Sequence, residues 1–190
     1  MSLGLEREVK FRVESWTEGE RRLAEGAARL KEPRHFERNS LFDFPDRALQ
    51  RRGEALRLRR AGGRAWLTYK GPLDGGGRIK QRREYETSLG DADAAEEILR
   101  RLGLEERFRY EKFRAVYSLE KVEATLDQTP IGVFIEIEGP PSEIERAARA
   151  LGLEMDVAIS VSYPRLYQTY RDQTPDSPEF MTFPAESGTE

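Results

Sequence analysis

Residues 5–13 read Leu-Glu-Arg-Glu-Val-Lys-Phe-Arg-Val, and at the two-residue period of a strand Glu6, Glu8, Lys10 and Arg12 fall on one side. Arg7, Val9, Phe11 and Val13 fall on the other. The pattern returns along the chain. In residues 55–60 Leu56 and Leu58 alternate with Arg57 and Arg59; after the turn at Gly62-Gly63, residues 64–70 set Thr68 and Lys70 against Leu67 and Tyr69. Residues 79–89 place Lys80, Arg82, Glu84 and Glu86 opposite Ile79, Tyr85 and Leu89. Residues 106–119 set Lys112 and Arg114 against Phe113, Ala115, Tyr117 and Leu119. Glu123 and Asp127 alternate with Val122, Ala124 and Leu126, and Glu136 and Glu138 with Val133, Ile135 and Ile137. Residues 34–44 read as a strand of weaker alternation.

A single strand of this kind has water on its charged side. Three helices with apolar stripes of their own argue otherwise, because those stripes also need a surface to cover. The first opens at the capping box Thr17 to Glu20 and runs to about Leu30; the second starts near Asp91 or Asp93 and stops at Gly103; the third starts in the box Ser142 to Glu145 and stops at Gly152. A closed antiparallel barrel satisfies both sets, with helices on its apolar outside and charges lining its inside. Residues 154–161 read as one more strand and 163–170 as a turn or two of helix. The predicted fold is therefore α+β, mainly antiparallel, in one domain spanning 1–171, followed by a disordered tail over 172–190 that holds three prolines from Gln173 on and no periodicity. The glycine-rich loop 73–77 is expected to be exposed and mobile.

Such a lumen holds Lys10, Arg12, Arg57, Arg59, Lys70, Lys80, Arg82, Lys112 and Arg114 beside Glu6, Glu8, Glu84, Glu86, Glu123, Asp127, Glu136 and Glu138. Buried charges are costly unless they pair or meet a ligand. Converging Arg and Lys suit the oxygens of a polyphosphate, and carboxylates beside them suit a hard divalent cation, Mg²⁺ or Mn²⁺. Overall, 35% of residues are charged yet the net charge is only −3, which disfavours nucleic acid as a partner. No cysteine is present, which excludes thiolate chemistry and disulfides and fits a cytoplasmic protein. No run is apolar and long enough to cross a membrane as a helix. The lone His35 reads as a surface or strand histidine, Trp16 and Trp66 as packing anchors, and Gly75-Gly76-Gly77 lacks the Lys and Ser/Thr of a phosphate loop.

The run Glu6-Arg7-Glu8-Val9-Lys10 resembles the ExExK signature of the CYTH domain, the triphosphate tunnel metalloenzymes that include class IV adenylate cyclases, thiamine triphosphatases and inorganic triphosphatases. Its companions follow in order: the paired arginines of Leu56-Arg57-Leu58-Arg59, Lys70 before Gly-Pro, the basic-acidic run Arg82 to Glu86, Lys112-Phe113-Arg114, Asp127, and Glu136-Ile137-Glu138. One departure is 38–43, Arg-Asn-Ser-Leu-Phe-Asp, where the family more often carries Tyr-Phe-Asp. The resemblance implies an eight-stranded tunnel. It implies metal held by Glu6, Glu8, Asp127, Glu136 and Glu138, and phosphates bound by Lys10, Arg57, Arg59, Lys70, Arg82, Lys112 and Arg114. Glu6, Glu8, Lys10 and Glu138 are the expected catalytic groups, with Glu84 and Glu86 secondary. The expected activity is metal-dependent hydrolysis of a triphosphate-containing small molecule; cyclisation of ATP to cyclic AMP and non-catalytic binding of a phosphorylated ligand are the alternatives. A homodimer stays open.

Overall fold

A computed structural model describes residues 2–74 and 79–184. The strands are β1 (Ser2–Val13), β2 (Arg29–Asp43), β3 (Ala55–Ala61), β4 (Arg64–Leu73), β5 (Lys80–Leu89), β6 (Glu105–Leu119), β7 (Val122–Thr129) and β8 (Gly132–Glu138). They close into an antiparallel barrel in the order β1-β5-β4-β3-β2-β6-β7-β8, so that β1 is the seam, paired with β5 through Glu6↔Arg82 and with β8 through Lys10↔Glu136. The helices are α1 (Trp16–Glu25), α2 (Ala48–Arg51), α3 (Ala92–Arg101), α4 (Pro141–Ala150) and α5 (Tyr163–Gln173).

The main core lies outside the barrel, as the alternation requires. Val9, Phe11, Leu126, Ile135 and Ile137 turn outward and pack with Leu23 of α1 and Ile144, Ala148 and Leu151 at α4. A second cluster joins Phe42, Leu49, Leu58 and Leu99 under α2 and α3. Gly19 lets α1 approach β7 closely, since a Cβ there would stand 2.3 Å from a methyl of Leu126. The exclusion of water from these faces fixes which parity of each strand points inward.

Several local expectations shift. The first helix is capped by Ser15, whose Oγ accepts from the Glu18 N–H, with Glu18 reaching back to the Glu14 N–H; the box is two residues upstream of Thr17. That helix ends at Glu25, and not near Leu30, because Ala27 turns left-handed (φ 60°) and Arg29 already pairs with Ser118 in the sheet. Asp91, rather than Asp93, caps α3 through the N–H groups of Asp93 and Ala94. Residues 154–161 form no full strand: a single 3-10 turn, Met155–Val157, precedes one bridge between Ile159 and Lys10. Arg12 lies at the barrel end, its guanidinium over Phe134 and donating to the Ile131 carbonyl, so it is not part of the charged lumen.

The expected tail behaves differently over its described residues. Met181 is fully buried, exchanges backbone hydrogen bonds with Arg109 and Glu111 of β6, and packs with Tyr110 and Tyr167. Phe180 and Phe183 add ring contacts with Phe108 and Phe113, and the Tyr167 hydroxyl donates to the Pro178 carbonyl, contacts that composition alone does not reveal. Residues 185–190, and positions 75–77 of the glycine-rich loop, lie outside the described residues; Leu73 at its start is exposed.

Candidate active site

Strand register brings the inward charges together. Glu8 of β1 faces Lys80 on one side and Glu138 on the other, and Lys70 of β4 faces Glu84 of β5. The side chains follow this order. Glu6 accepts from Lys70 (2.6 Å) and Arg82 (3.0 Å), and Glu8 from Lys10 (2.9 Å) and Lys80. Lys10 also reaches Glu136 (3.0 Å), which in turn accepts from Arg114 (2.5 Å). Glu84 takes Lys70 (2.7 Å), while Glu86 takes Arg59 (3.2 Å), Arg57 (3.5 Å) and the Thr68 hydroxyl (2.7 Å).

Asp127 differs from the other acids. It is fully buried and its oxygens are taken by Arg114 (2.6 Å), Lys112 (3.0 Å) and the Tyr163 hydroxyl (2.8 Å). Tyr163 enters the lumen from the start of α5, 5% exposed, with the ammonium groups of Lys10 and Lys112 each 5.3 Å from its ring. It meets Phe134 edge-on, and together they fill the lumen beside the Lys112–Arg114 pair.

The electrostatics divide the carboxylates. Burial would raise Glu6, but Lys70, Lys80 and Arg82 override it and hold the group down to about 2; Glu136 is likewise brought to about 2 by Lys10 and Arg114 against burial. Glu8 and Glu37 are also held well below the usual range despite burial, Glu8 by Lys10 and Lys80 and Glu37 by Lys112 and Arg114. Glu138 goes the other way, up to about 7: partial loss of water comes first, and the like charges of Glu6, Glu8 and Glu84 add to it against Lys70. It stands at the mouth, and no ion pair engages it among the described residues.

These shifts predict how stability depends on pH. The depressed groups contribute stability that is complete above their unfolded value of 4.5 and is lost as pH falls toward 2. Glu138, raised in the folded state, contributes stability present below 4.5 and lost as pH climbs through about 7. The metal-free protein is therefore expected to be most stable at roughly pH 5. Thermal unfolding in chelator across pH 2–8 measures this, and Glu138→Gln should flatten the limb above pH 5. A wild-type Tm that rises steadily from pH 5 to 8 would contradict the assignment.

The donor set suits a hard cation. Glu6, Glu8 and Glu138 present only carboxylate oxygens, and the Glu8–Glu138 juxtaposition lacks enough positive charge on the Glu138 side. Among the described residues no three carboxylate or imidazole groups are gathered tightly enough to enclose an ion unaided, because Lys70, Lys80 and Arg82 hold Glu6 and Glu8 in ion pairs. Those cationic groups are also ones that phosphate oxygens would attract.

The family profile of the CYTH domain matches residues 4–157. The chain belongs to the CYTH domain family. Among relatives, the Methanocaldococcus jannaschii protein named "Putative adenylate cyclase MJ0240" is 33% identical over 132 residues, 67% of this chain and 74% of that one. The PH1819 protein of Pyrococcus horikoshii is 31% identical with a TM-score of 0.74, over 87% of this chain and 99% of that one. The Hippeastrum protein described as "Putative adenylyl cyclase HpAC1" that reveals a dominant triphosphatase activity shares the fold at 20% identity and a TM-score of 0.65, over 87% of this chain and 96% of that one.

Each CYTH residue anticipated from the motifs lies on the inner parity, and Glu6, Glu8, Lys10, Arg57, Arg59, Lys70, Arg82, Glu84, Glu86, Lys112, Arg114, Glu136 and Glu138 line one cavity of about 950 Å³. Asp127 is sealed beneath Lys112 and Arg114. Glu37 was not anticipated. It is 3% exposed, within 3.6 Å of Lys112 and 3.7 Å of Arg59, and also 3.6 Å from His35, which thus has a partner two residues along. Glu37 shares its parity with Asn39 and Leu41, but the opposite parity, Phe36, Arg38 and Ser40, is no more clearly apolar, so the sequence does not mark which side faces inward. No helix among the described residues is long and apolar enough to cross a membrane.

Proposed function

We propose that this CYTH protein hydrolyses a triphosphate-containing small molecule with Mg²⁺ or Mn²⁺. The observation that carries this is the sharing of one cavity by Glu6, Glu8 and Glu138 with the cations Lys10, Arg57, Arg59, Lys70, Lys80, Arg82, Lys112 and Arg114. Glu6, Glu8 and Glu138 would hold the ion, which when bound supplies Lewis-acid polarisation of a phosphoryl oxygen and an activated water. Glu138 must lose the proton it carries below about pH 7 before it can take part. Arg57 and Arg59 present guanidinium groups for bidentate contact with the phosphate chain. Lys112 and Arg114, steadied by Asp127, stand ready for a neighbouring phosphate and for charge developing in the transition state. Lys10 lies between Glu8 and Glu136 and keeps the two acids compatible at 2% exposure.

A second reading is cyclisation, in which a ribose 3′-hydroxyl attacks the α-phosphate and pyrophosphate leaves; the name of the M. jannaschii relative favours it. One panel decides between them. The protein is supplied with Mg²⁺ or Mn²⁺ and tripolyphosphate, thiamine triphosphate or ATP, and phosphate, pyrophosphate and cyclic AMP are measured, with chelator as the control. Phosphate release abolished by chelator is the expected result. Cyclic AMP with pyrophosphate selects the second reading, and tight binding without turnover would leave a non-catalytic binder. Arg57→Ala should weaken tripolyphosphate binding at least about tenfold, since a charge-assisted hydrogen bond is worth ~1.5–3 kcal/mol. Titration calorimetry measures it, and unchanged affinity would remove Arg57 from the phosphate site.

A further inference from the structure

None of the acids anticipated for the lumen lies on β2, yet β2 places Glu37 there, 3% exposed, between the two pairs of phosphate cations. In the barrel β2 runs between β3 and β6. Glu37 stands opposite Lys112 of β6 and opposite the uncharged Ala61 of β3, two residues along from Arg59. Its carboxylate is 3.7 Å from Arg59 and 3.6 Å from Lys112, and among the described residues it is the one acid within ion-pair distance of both. Each cation has a nearer acid of its own, Glu86 of β5 for Arg59 (3.2 Å) and Asp127 of β7 for Lys112 (3.0 Å), but neither of these meets the other cation. Both gaps from Glu37 exceed a hydrogen bond, and its Oε2 has no hydrogen-bond partner among the described residues. Glu37 therefore acts on the two cations by charge alone. Such an acid opposes the binding of an anion and is itself unfavourable to bury. What it supplies is a common reference: Arg59 and Lys112 come from strands that are not neighbours, and one fixed charge between them sets their separation.

Glu37 is tied in turn to the outside of the barrel. His35, two residues before it on β2, is half-buried; its Nδ1 donates to the Pro33 carbonyl at 2.9 Å, and its Nε2 lies 3.6 Å from Glu37. The charged groups facing His35 are Glu37 and Glu32 of its own strand and Arg114 across β6; those facing Glu37 are His35, Arg59, Lys112 and Arg114. Burial would raise Glu37, but Lys112, Arg114, His35 and Arg59 outweigh it and the group stays ionised. Glu37 then lifts His35 above its ordinary value against partial burial.

We propose that Glu37 is a positioning residue of the phosphate site, holding Arg59 and Lys112 at the spacing a phosphate chain needs, with His35 as its partner on the solvent side. The inference rests on the phosphate assignment above, and its test separates the two. When phosphate engages the two cations, less of their charge falls on Glu37 and more of the Glu37 charge is left for His35, so binding tightens the hold on the His35 proton. His35 is the only histidine in the chain, so NMR follows its ring protons alone. Titrated in chelator with and without saturating tripolyphosphate, the wild-type His35 midpoint should rise by about half a pH unit or more, a coupling of about threefold. Glu37→Gln should lose most of that rise. With metal supplied, Glu37→Gln should keep KM for tripolyphosphate within about threefold, because lost repulsion offsets looser placement, while kcat falls at least about tenfold. If Glu37→Gln does not fold, Glu37→Asp, which keeps the charge but withdraws it by one methylene, is read in the same way. An unmoved wild-type midpoint, an equal rise in the variant, or an unchanged kcat would overturn the positioning role. Tripolyphosphate bound without hydrolysis would overturn the hydrolase reading alone, and the His35 comparison then decides the role of Glu37. Failure of tripolyphosphate to bind would overturn the phosphate assignment and the positioning role with it.

Discussion

Glu6→Gln should lower metal-dependent turnover by on the order of 10²- to 10³-fold, the effect of removing one preorganised electrostatic group at a reacting centre. Glu6 is 8% exposed and is clamped by Lys70 and Arg82, so its charge is held in place with little freedom to reorganise. Glutamine keeps the shape and one acceptor oxygen. Lys70 retains Glu84 at 2.7 Å, and the outward core through Val9 and Phe11 is untouched. The variant should therefore fold, with a circular dichroism spectrum like wild type, while calorimetry shows weakened Mn²⁺ binding. Full turnover by Glu6→Gln would remove this residue from the ion site.

Asp127→Asn should have the opposite profile, a loss of about 3–5 kcal/mol in folding stability, because removing one partner of a buried ion pair leaves the others uncompensated. Three groups depend on that carboxylate, Arg114, Lys112 and Tyr163, and none has another equally close acid except Arg114, which keeps Glu136. Urea unfolding measures the loss. Tyr163→Phe serves as a milder companion, since it removes one hydrogen bond without leaving a charge unpaired, and should cost about 1 kcal/mol. An Asp127→Asn protein as stable as wild type that had lost ion affinity would restore Asp127 to the metal ligands. On these two predictions, acids of the same motif set would separate into one that holds the ion and one that positions cations.

The inner parity of Glu6, Glu8, Lys10, Arg57 and Arg59 was legible because the side-chain period of a strand is two and the apolar partners Val9, Phe11, Leu56 and Leu58 choose the face. Which cation meets which acid was not, because the pairing of Lys70 with Glu6 depends on how strands are staggered around the closed barrel. Glu37 escaped notice for a local reason. Pairing of β2 with β6 runs without a shift from His35 to Leu41, but both parities there mix polar and apolar residues, Glu37, Asn39 and Leu41 against Phe36, Arg38 and Ser40, so no apolar face marks Glu37 as inward. Tyr163 belongs to a helix, so no strand pattern could place it in the lumen. Phe180, Met181 and Phe183 anchor their segment through separate, non-periodic contacts, which a periodicity reading cannot register.

The position of β1 between β5 and β8 also governs the order in which the molecule can be made. Along the chain Glu6, Glu8 and Lys10 are made before Arg82, Glu136 and Glu138, which they face. β1 can pair with β5 only after Arg82 is made and with β8 only after Glu138, and such sequence-distant pairing slows folding. Its alternating charges, Glu6, Arg7, Glu8, Lys10 and Arg12, keep it hydrated in the meantime and discourage pairing with a neighbouring nascent chain. The barrel closes only when its last strand, β8, pairs with its first.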